Sequence, residues 1–305
     1  MAIASFQKPD VKIFYNGVDK TDEFHWSNIT IEDYEGDLSD RFIATMLWDN
    51  ARPRMKDEIK VFINGYFLGK FIISAIKVDY KKSFDIEAVS VDFMSDFTKK
   101  KNRTFKDKSY KEIIEEIAKE NGYKTKIDFK RMDEVNLLEQ YDESDMNVCN
   151  KIAKDLELSF CVKNGYLIFF DRDDESHRIN YFYNADDMIS LSYEKKEKEV
   201  YQSCEVRWHS TKYARYKVAR VGTKEPVLKI TSLQKDESTA LKLAEARLKS
   251  QKNLEINGNF SIIGTPFFAG AFINIKFDDS LTKKFLITKI THTINTNWLT
   301  SAEFI

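Results

Sequence analysis

Asn-Gly set between two apolar runs constrains this chain more than any other local feature. A two-residue type I′ turn needs positive φ at both central positions, and it ties the flanking runs into a hairpin of fixed register. The arrangement occurs in KIFYNGV around Asn16-Gly17, IKVFINGYFLGKFII around Asn64-Gly65 and LSFCVKNGYLIFF around Asn164-Gly165. A fourth pair, Asn257-Gly258, is expected to interrupt LEINGNFSII. The segments WSNITIEDY, RFIATML and FDIEAVSV alternate apolar and polar residues, the pattern of strands with one face inward. Residues 11–97 therefore read as an all-β unit of six or seven strands. The 23 Phe and 14 Tyr against only 10 Gly and 4 Pro support sheets with full-sized side chains on both faces.

The period then changes. Ser109 followed by Glu112 is a capping box, and Ile113, Ile114, Ile117 and Ala118 form one apolar stripe. Gly122 stands where a helix is ended by a left-handed residue, so a helix is predicted from Tyr110 to Asn121. Ser144 opens a second helix whose inner face is Val148, Cys149, Ile152, Ala153 and Leu156, and this helix leads into the Asn164-Gly165 hairpin. The third part contains the strands LSYEKKEKEVYQSCEVRW, YKVARV and VLKITS, then a helix over 237–250 with Leu241, Ala244 and Leu248 inward. FINIKF, KFLITKITHTINT and LTSAEFI close the chain as strands. At 305 residues the chain exceeds one ordinary domain, and the expected division is a β-rich part over 1–105, a small α+β part over 106–187 and a second β-rich part over 188–305. No residue-level repeat relates the first part to the third.

Chemistry is sought next. No GxSxG, P-loop, GxGxxG or HExxH motif occurs, and His25, His177, His209 and His292 are scattered. Asp171, Asp173, Asp174 and Glu175 resemble the start of a calcium loop, but Ser176 stands where its glycine belongs and Phe182 where its bidentate Glu belongs. A solvated turn is expected there. The basic stretch TKKKNRTFKDK over 98–108 is expected to be a solvated inter-domain connection. The 48 basic and 49 acidic side chains give no global support to nucleic-acid binding. Cys149, Cys161 and Cys204 are odd in number and lack CxxC spacing, so reduced, buried thiols are expected instead of disulfides or a zinc site. No catalytic, metal or cofactor site is therefore predicted. The first residues lack a secretory pattern, and the apolar run FFAGAFI over 267–273 is far below the roughly 20 residues of a membrane span. Folding in the cytoplasm without membrane insertion is the expectation.

Three stretches, taken in order, resemble the phage late control D family, the baseplate hub proteins of contractile tails, to which VgrG spike proteins and tailocin hubs are related. YEGDLSDRFIATMLWDNARPRMKDEIKVFINGYFLGKFIIS is similar to the family's early barrel, with Lys56-Asp57 where a Gly is often found. SYKEIIEEIAKENGY followed by QYDESDMNVCNKIAKDLELSFCVKNGYLIFFD is similar to its most recognisable pattern, with Gln140, Glu143, Ser144 and Asp145 matching. STALKLAEARLKSQKNLEINGNFSIIGTPFFAGAFINIKF and FLITKITHTINTNWLTSAEFI resemble its last region through Gly264, Pro266, Gly270 and a His in the penultimate strand.

The resemblance implies a mainly β, α+β chain in which two tube-like antiparallel β-barrel domains with superimposable cores flank the middle domain. It also implies a homotrimer whose six barrels form a ring between a hexameric tail tube, or its initiator protein, and a trimeric central spike. Other baseplate proteins are then neighbours, and DNA passes through the lumen without specific binding. The matched residues Ser109, Glu112, Gly122, Gln140, Ser144, Asp145, Gly264, Pro266 and Gly270 are implied to be structural, and Gln140 and Asp145 to fix the start of a helix. Two rival readings stay open. One is a tail-associated cell-wall hydrolase. The other is a carbohydrate-binding β-protein using Trp26, Trp48, Trp208 and Trp298, for most of which a core position is the expected home.

Overall fold

A computed structural model describes residues 9–36, 38–91, 96–127, 132, 135–156, 158–171, 176, 178–195, 201–210, 215–234, 236–252, 256–278 and 281–305. The fold is β-rich α+β. It divides into two compact units, one made of Met1–Leu191 with Phe260–Phe304 and one of Ser192–Asn259.

The first unit opens with β1 (Val11–Tyr15), β2 (Val18–Asp19), β3 (Trp26–Tyr34), β4 (Arg41–Leu47), β5 (Glu58–Ile63), β6 (Tyr66–Asp79) and β7 (Ser83–Val89). Asn16-Gly17 closes β1 onto β2 with φ of 48° and 82°, and Asn64-Gly65 closes β5 onto β6 with 50° and 81°. These are the paired left-handed conformations that a type I′ turn requires. The strands pair in the order β2-β1-β5-β6-β7-β4-β3. Alternation sends Ile29, Ile31, Phe42, Ala44, Ile59 and Val61 to one buried face, each large side chain contributing about 1.5–3 kcal/mol.

The middle of the chain supplies β8 (Lys100–Ser109), α1 (Tyr110–Glu120), β9 (Lys124–Ile127), β10 (Val135–Ser144), α2 (Asp145–Asp155), β11 (Ser159–Lys163) and β12 (Tyr166–Phe170). Its own core joins Ile113 and Ile117 of α1, Val148 and Ile152 of α2, and Phe160 and Phe169 of the β11–β12 hairpin. Val91, Phe97 and Phe105 belong to the same core, so it starts upstream of residue 106. The basic stretch over 98–108 is thus not a solvated connection. It forms most of β8, which pairs antiparallel with β10. The physical reason is strand alternation: Lys101, Arg103 and Phe105 share the inward-facing side, where Phe105 is buried and both cations meet carboxylates.

The chain continues through β13 (Asn180–Asn184) and β14 (Ser190–Lys195), within which it passes into the second unit. That unit holds β15 (Ser203–Ser210), β16 (Arg215–Val221), β17 (Val227–Gln234) and α3 (Glu237–Lys252). The strand order is β16-β15-β17, and α3 covers one face by packing Ala240 and Ala244 on Cys204, Val206, Trp208 and Ala219. The chain returns within β18 (Ile256–Ile263) and ends with β19 (Phe272–Asp278), β20 (Leu281–Ile294) and β21 (Trp298–Phe304). Asn257-Gly258 does not interrupt a strand but lies inside β18, which is flanked by β14 and β21.

β20 decides the architecture of the first unit. Its first half pairs with β19 and its second half with both β21 and β3. The edge of β3 left open by β4 is thereby covered, and Ile294 and Trp298 join the core of the opening strands. Strands from the opening and closing parts of the chain thereby share one sheet. Pairing is also not uniformly antiparallel: β9–β12, β13–β19 and β15–β17 are parallel. Each of these pairs is separated in sequence by other elements, as a parallel connection demands.

Candidate functional site

The residues singled out in the middle of the chain converge on two helix starts. The Ser109 hydroxyl accepts from the Glu112 amide at 3.2 Å, while the Ser109 amide donates to Glu112 Oε2 at 2.7 Å. Gly122 follows α1 with φ of 73°, where any side chain would be strained. Ser144 caps α2 by accepting from the Asn147 amide at 3.2 Å. Asp145 is the first residue of α2 and is fully buried. Its carboxylate accepts from Lys101 Nζ at 2.6 Å, Arg103 Nη2 at 2.7 Å, Asn121 Nδ2 at 2.9 Å and Gln140 Nε2 at 3.0 Å. Arg103 also donates to Gln140 Oε1 at 2.7 Å and to both Glu120 oxygens at 2.8 and 2.7 Å. Burial pushes the Asp145 carboxyl up, but the bonds from Lys101, Gln140 and Asn121 and the charge of Arg103 outweigh it and hold the group below the usual carboxylate range. One carboxylate thus joins β8, the end of α1, β10 and the start of α2.

A second charged cluster was not visible in the sequence. Asp33, at the end of β3, pairs with Lys163 of β11 and accepts from the Ala269 amide at 2.7 Å. Asp40 lies 3.4 Å from the same ammonium and accepts from the Tyr34 amide at 3.0 Å. Burial and the neighbouring Asp33 push the Asp40 carboxyl up, against the pull of Lys163. The two carboxylates outweigh the burial of Lys163 and raise it, so it stays an ammonium. Beside this cluster, Arg178 donates from Nη1 to the Gly270 carbonyl at 2.8 Å and lies between the rings of Phe170 and Phe272. Gly270 has φ of 84°, and a Cβ there would come 3.4 Å from Glu35 Cγ. The hairpin tip is anchored too, since the Lys70 amide donates to Asn164 Oδ1 at 3.0 Å.

In the last region Gly264 donates from its amide to the Trp298 carbonyl at 2.8 Å, and the Pro266 carbonyl accepts from the Tyr181 hydroxyl at 3.3 Å. His292 is buried in β20. Trp298 Nε1–H donates to its Nδ1 at 3.1 Å, so Nδ1 is the acceptor and Nε2 carries the proton towards the Phe267 carbonyl at 3.3 Å. Burial pulls His292 down to about 4, so it is neutral in the fold.

These groups hold segments together. The Lys163 amine is kept charged, and burial raises the Cys149 and Cys204 thiols and pushes Cys161 up to about 12, which suppresses the thiolates that act as nucleophiles or metal ligands. All three cysteines are free and buried. Among the described residues no group of His, Cys, Asp and Glu is placed to hold a metal, and no helix is long and apolar enough to cross a membrane. Asp173, Asp174, Glu175 and His177 lie outside the described residues. Trp208 and Trp298 are buried in cores, while Trp26 and Trp48 are half-buried.

Known proteins supply the context for this arrangement. Tail protein from Neisseria meningitidis is similar in fold, with 12% identity, a TM-score of 0.77 and coverage of 97% of this chain and 96% of that one. The 43 kDa tail protein of prophage MuSo2 from Shewanella oneidensis gives 13% identity, a TM-score of 0.75 and coverage of 98% of each chain. An Escherichia coli component of the type VI secretion system gives 12% identity and a TM-score of 0.62, covering 96% of this chain and 76% of that one. No curated protein matches the chain in sequence. The sequence profile of the phage tail baseplate hub (GPD) matches residues 91–298, a span that includes both helix starts, the Lys163 hairpin and the His292 strand. Since that match covers more than half of the chain, the protein belongs to the phage tail baseplate hub family.

Proposed function

We propose that three copies of this chain form the structural ring of a contractile-tail baseplate, joining the sixfold tail tube to the trimeric central spike. The family match over residues 91–298 carries the reading, supported by a fold likeness to tail proteins over nearly the whole chain. In this reading residues 1–105 and 188–305 act as two tube-like barrel domains per copy, six in the ring, with residues 106–187 between them. The tube or its initiator contacts one face, the spike the other, and DNA crosses the lumen without specific binding. The chain acts by holding shape and performs no catalysis, in keeping with charged groups locked into buried pairs.

Electron microscopy of the assembled particle tests this. Three copies around the axis, stacked on a six-copy tube ring, is the expected result. Six copies, or one isolated copy on the outside, would overturn the proposal.

A further inference from the structure

The near-neutral chain conceals a strong division of charge. Residues 192–259 carry 15 Lys and Arg against 9 Asp and Glu, a net charge of +6, whereas the remainder carries 33 against 40, a net charge of −7. On one sheet face of the basic unit most of the described side chains are exposed. Its β15–β17 sheet turns Cys204, Val206 and Trp208 towards α3, so alternation turns Glu205 and Arg207 the other way. Register places Val218 opposite Arg207, and Arg220 and Lys229 on either side of Glu205. Tyr216 and Val218 are 68% and 53% exposed on this face. Arg220 is paired with Glu205 at 3.2 Å, but Arg207 and Lys229 have no carboxylate partner among the described residues.

We infer that this face of residues 192–259 docks on the acidic remainder of a second copy of the chain. Two copies meeting through their basic faces would oppose like charges, whereas basic face against acidic remainder attracts. Such a contact uses different surfaces on the two partners and is heterologous, the kind that closes into a ring. Tyr216 and Val218 give the contact an apolar centre, and Arg207 and Lys229 give it orientation and salt sensitivity. The inference rests on the ring proposed above but adds which face is used and what attracts it.

The test is crosslinking within the assembled particle. A photoreactive phenylalanine analogue replaces Tyr216, and after illumination the product is mapped by mass spectrometry. The expected product is a dimer of this chain joined from position 216 to residues outside 192–259. Adducts to DNA, to another tail protein, or to residue 216 of a second copy would overturn the inference, as would no adduct. If the variant does not assemble, carbodiimide treatment of the unaltered particle asks the same question through Lys229. An amide from Lys229 to a carboxylate of a second copy supports the inference, and its absence overturns it. Copy number by microscopy is read separately, so a threefold ring with Tyr216 joined to another protein would retain the hub and discard this contact.

Discussion

Asp145 is the residue on which most polar contacts of the middle core depend. Lys101 and Arg103 reach it through strand alternation, and Glu120 gives both a second carboxylate, at 3.6 Å from Lys101 and 2.7 Å from Arg103. Removing the carboxylate leaves one amide N–H each of Asn121 and Gln140 without its acceptor and takes from both cations their buried partner, a loss of about 1–3 kcal/mol. Asp145→Ala is therefore expected to lower the urea midpoint strongly, and a loss below about 1 kcal/mol would show that the cluster is dispensable. Lys56 is a second telling position. It holds φ of 71°, a left-handed conformation that favours glycine, while its amide donates to the Ile73 carbonyl at 2.9 Å. A left-handed non-glycine residue costs about 1–2 kcal/mol, partly offset in the variant by the freedom glycine gains on unfolding. Lys56→Gly is expected to be neutral or stabilising by up to about 1 kcal/mol in chemical denaturation; clear destabilisation would place the lysine side chain in some supporting role.

At the scale of elements, α1 is held at its start by the reciprocal Ser109–Glu112 bonds and at its end by the left-handed Gly122. Ser109→Ala removes one side of that box and is expected to cost about 1 kcal/mol. Hydrogen exchange should report the loss first at the amides of the opening turn, because those donors have no partner within the helix. Unchanged protection there would mean that packing of Ile113 and Ile117 alone holds the turn. The β11–β12 hairpin is governed differently. Its Asn164-Gly165 turn forms locally, with φ of 55° and 81°, but its placement comes from Asn164 accepting from Lys70 and from Lys163 meeting Asp33.

For the whole molecule, stability should depend on pH through two buried groups acting in opposite directions. His292 is pulled down to about 4 by burial, from an ordinary value of 6.5. Its contribution is complete above pH 6.5 and is lost as pH falls from there towards 4, by about 3 kcal/mol at about 1.4 kcal/mol per unit. His292→Asn should flatten that acid decline in denaturation series at fixed salt; an unchanged decline would assign it to other groups. Asp40 is pushed up from 3.8 to about 7, first by burial and then by Asp33. Its contribution is complete below pH 4 and is lost as pH rises through 7. Asp40→Asn should therefore be more stable than the unaltered protein at pH 8 and no more stable at pH 4, since Asp33 still neutralises Lys163. A variant weaker at both values would show that the second carboxylate is needed throughout.

The amino-acid sequence by itself determined the features whose causes lie within a few residues. Asn-Gly turns follow from tolerated φ, the starts of α1 and α2 from Ser109 and Ser144, and the inner faces of both helices from the spacing of apolar residues. The joint order of these signals also made the hub family legible, and the match over residues 91–298 bears that out. Tertiary structure decided the rest. Asp33 meets Lys163 across 130 positions and the Ala269 amide across 236, and the surrounding sequence holds many carboxylates of equal promise. The basic run over 98–108 looked solvated because charge alone says nothing of a partner, and only pairing of β8 with β10 brings Lys101 and Arg103 onto Asp145. The union of β3 with β20, and the parallel pairs, depended likewise on which open edges the folded chain brought together. Local signals specify torsion angles and faces, but a strand edge accepts any partner of suitable register, so its choice is settled by the burial that the whole fold achieves.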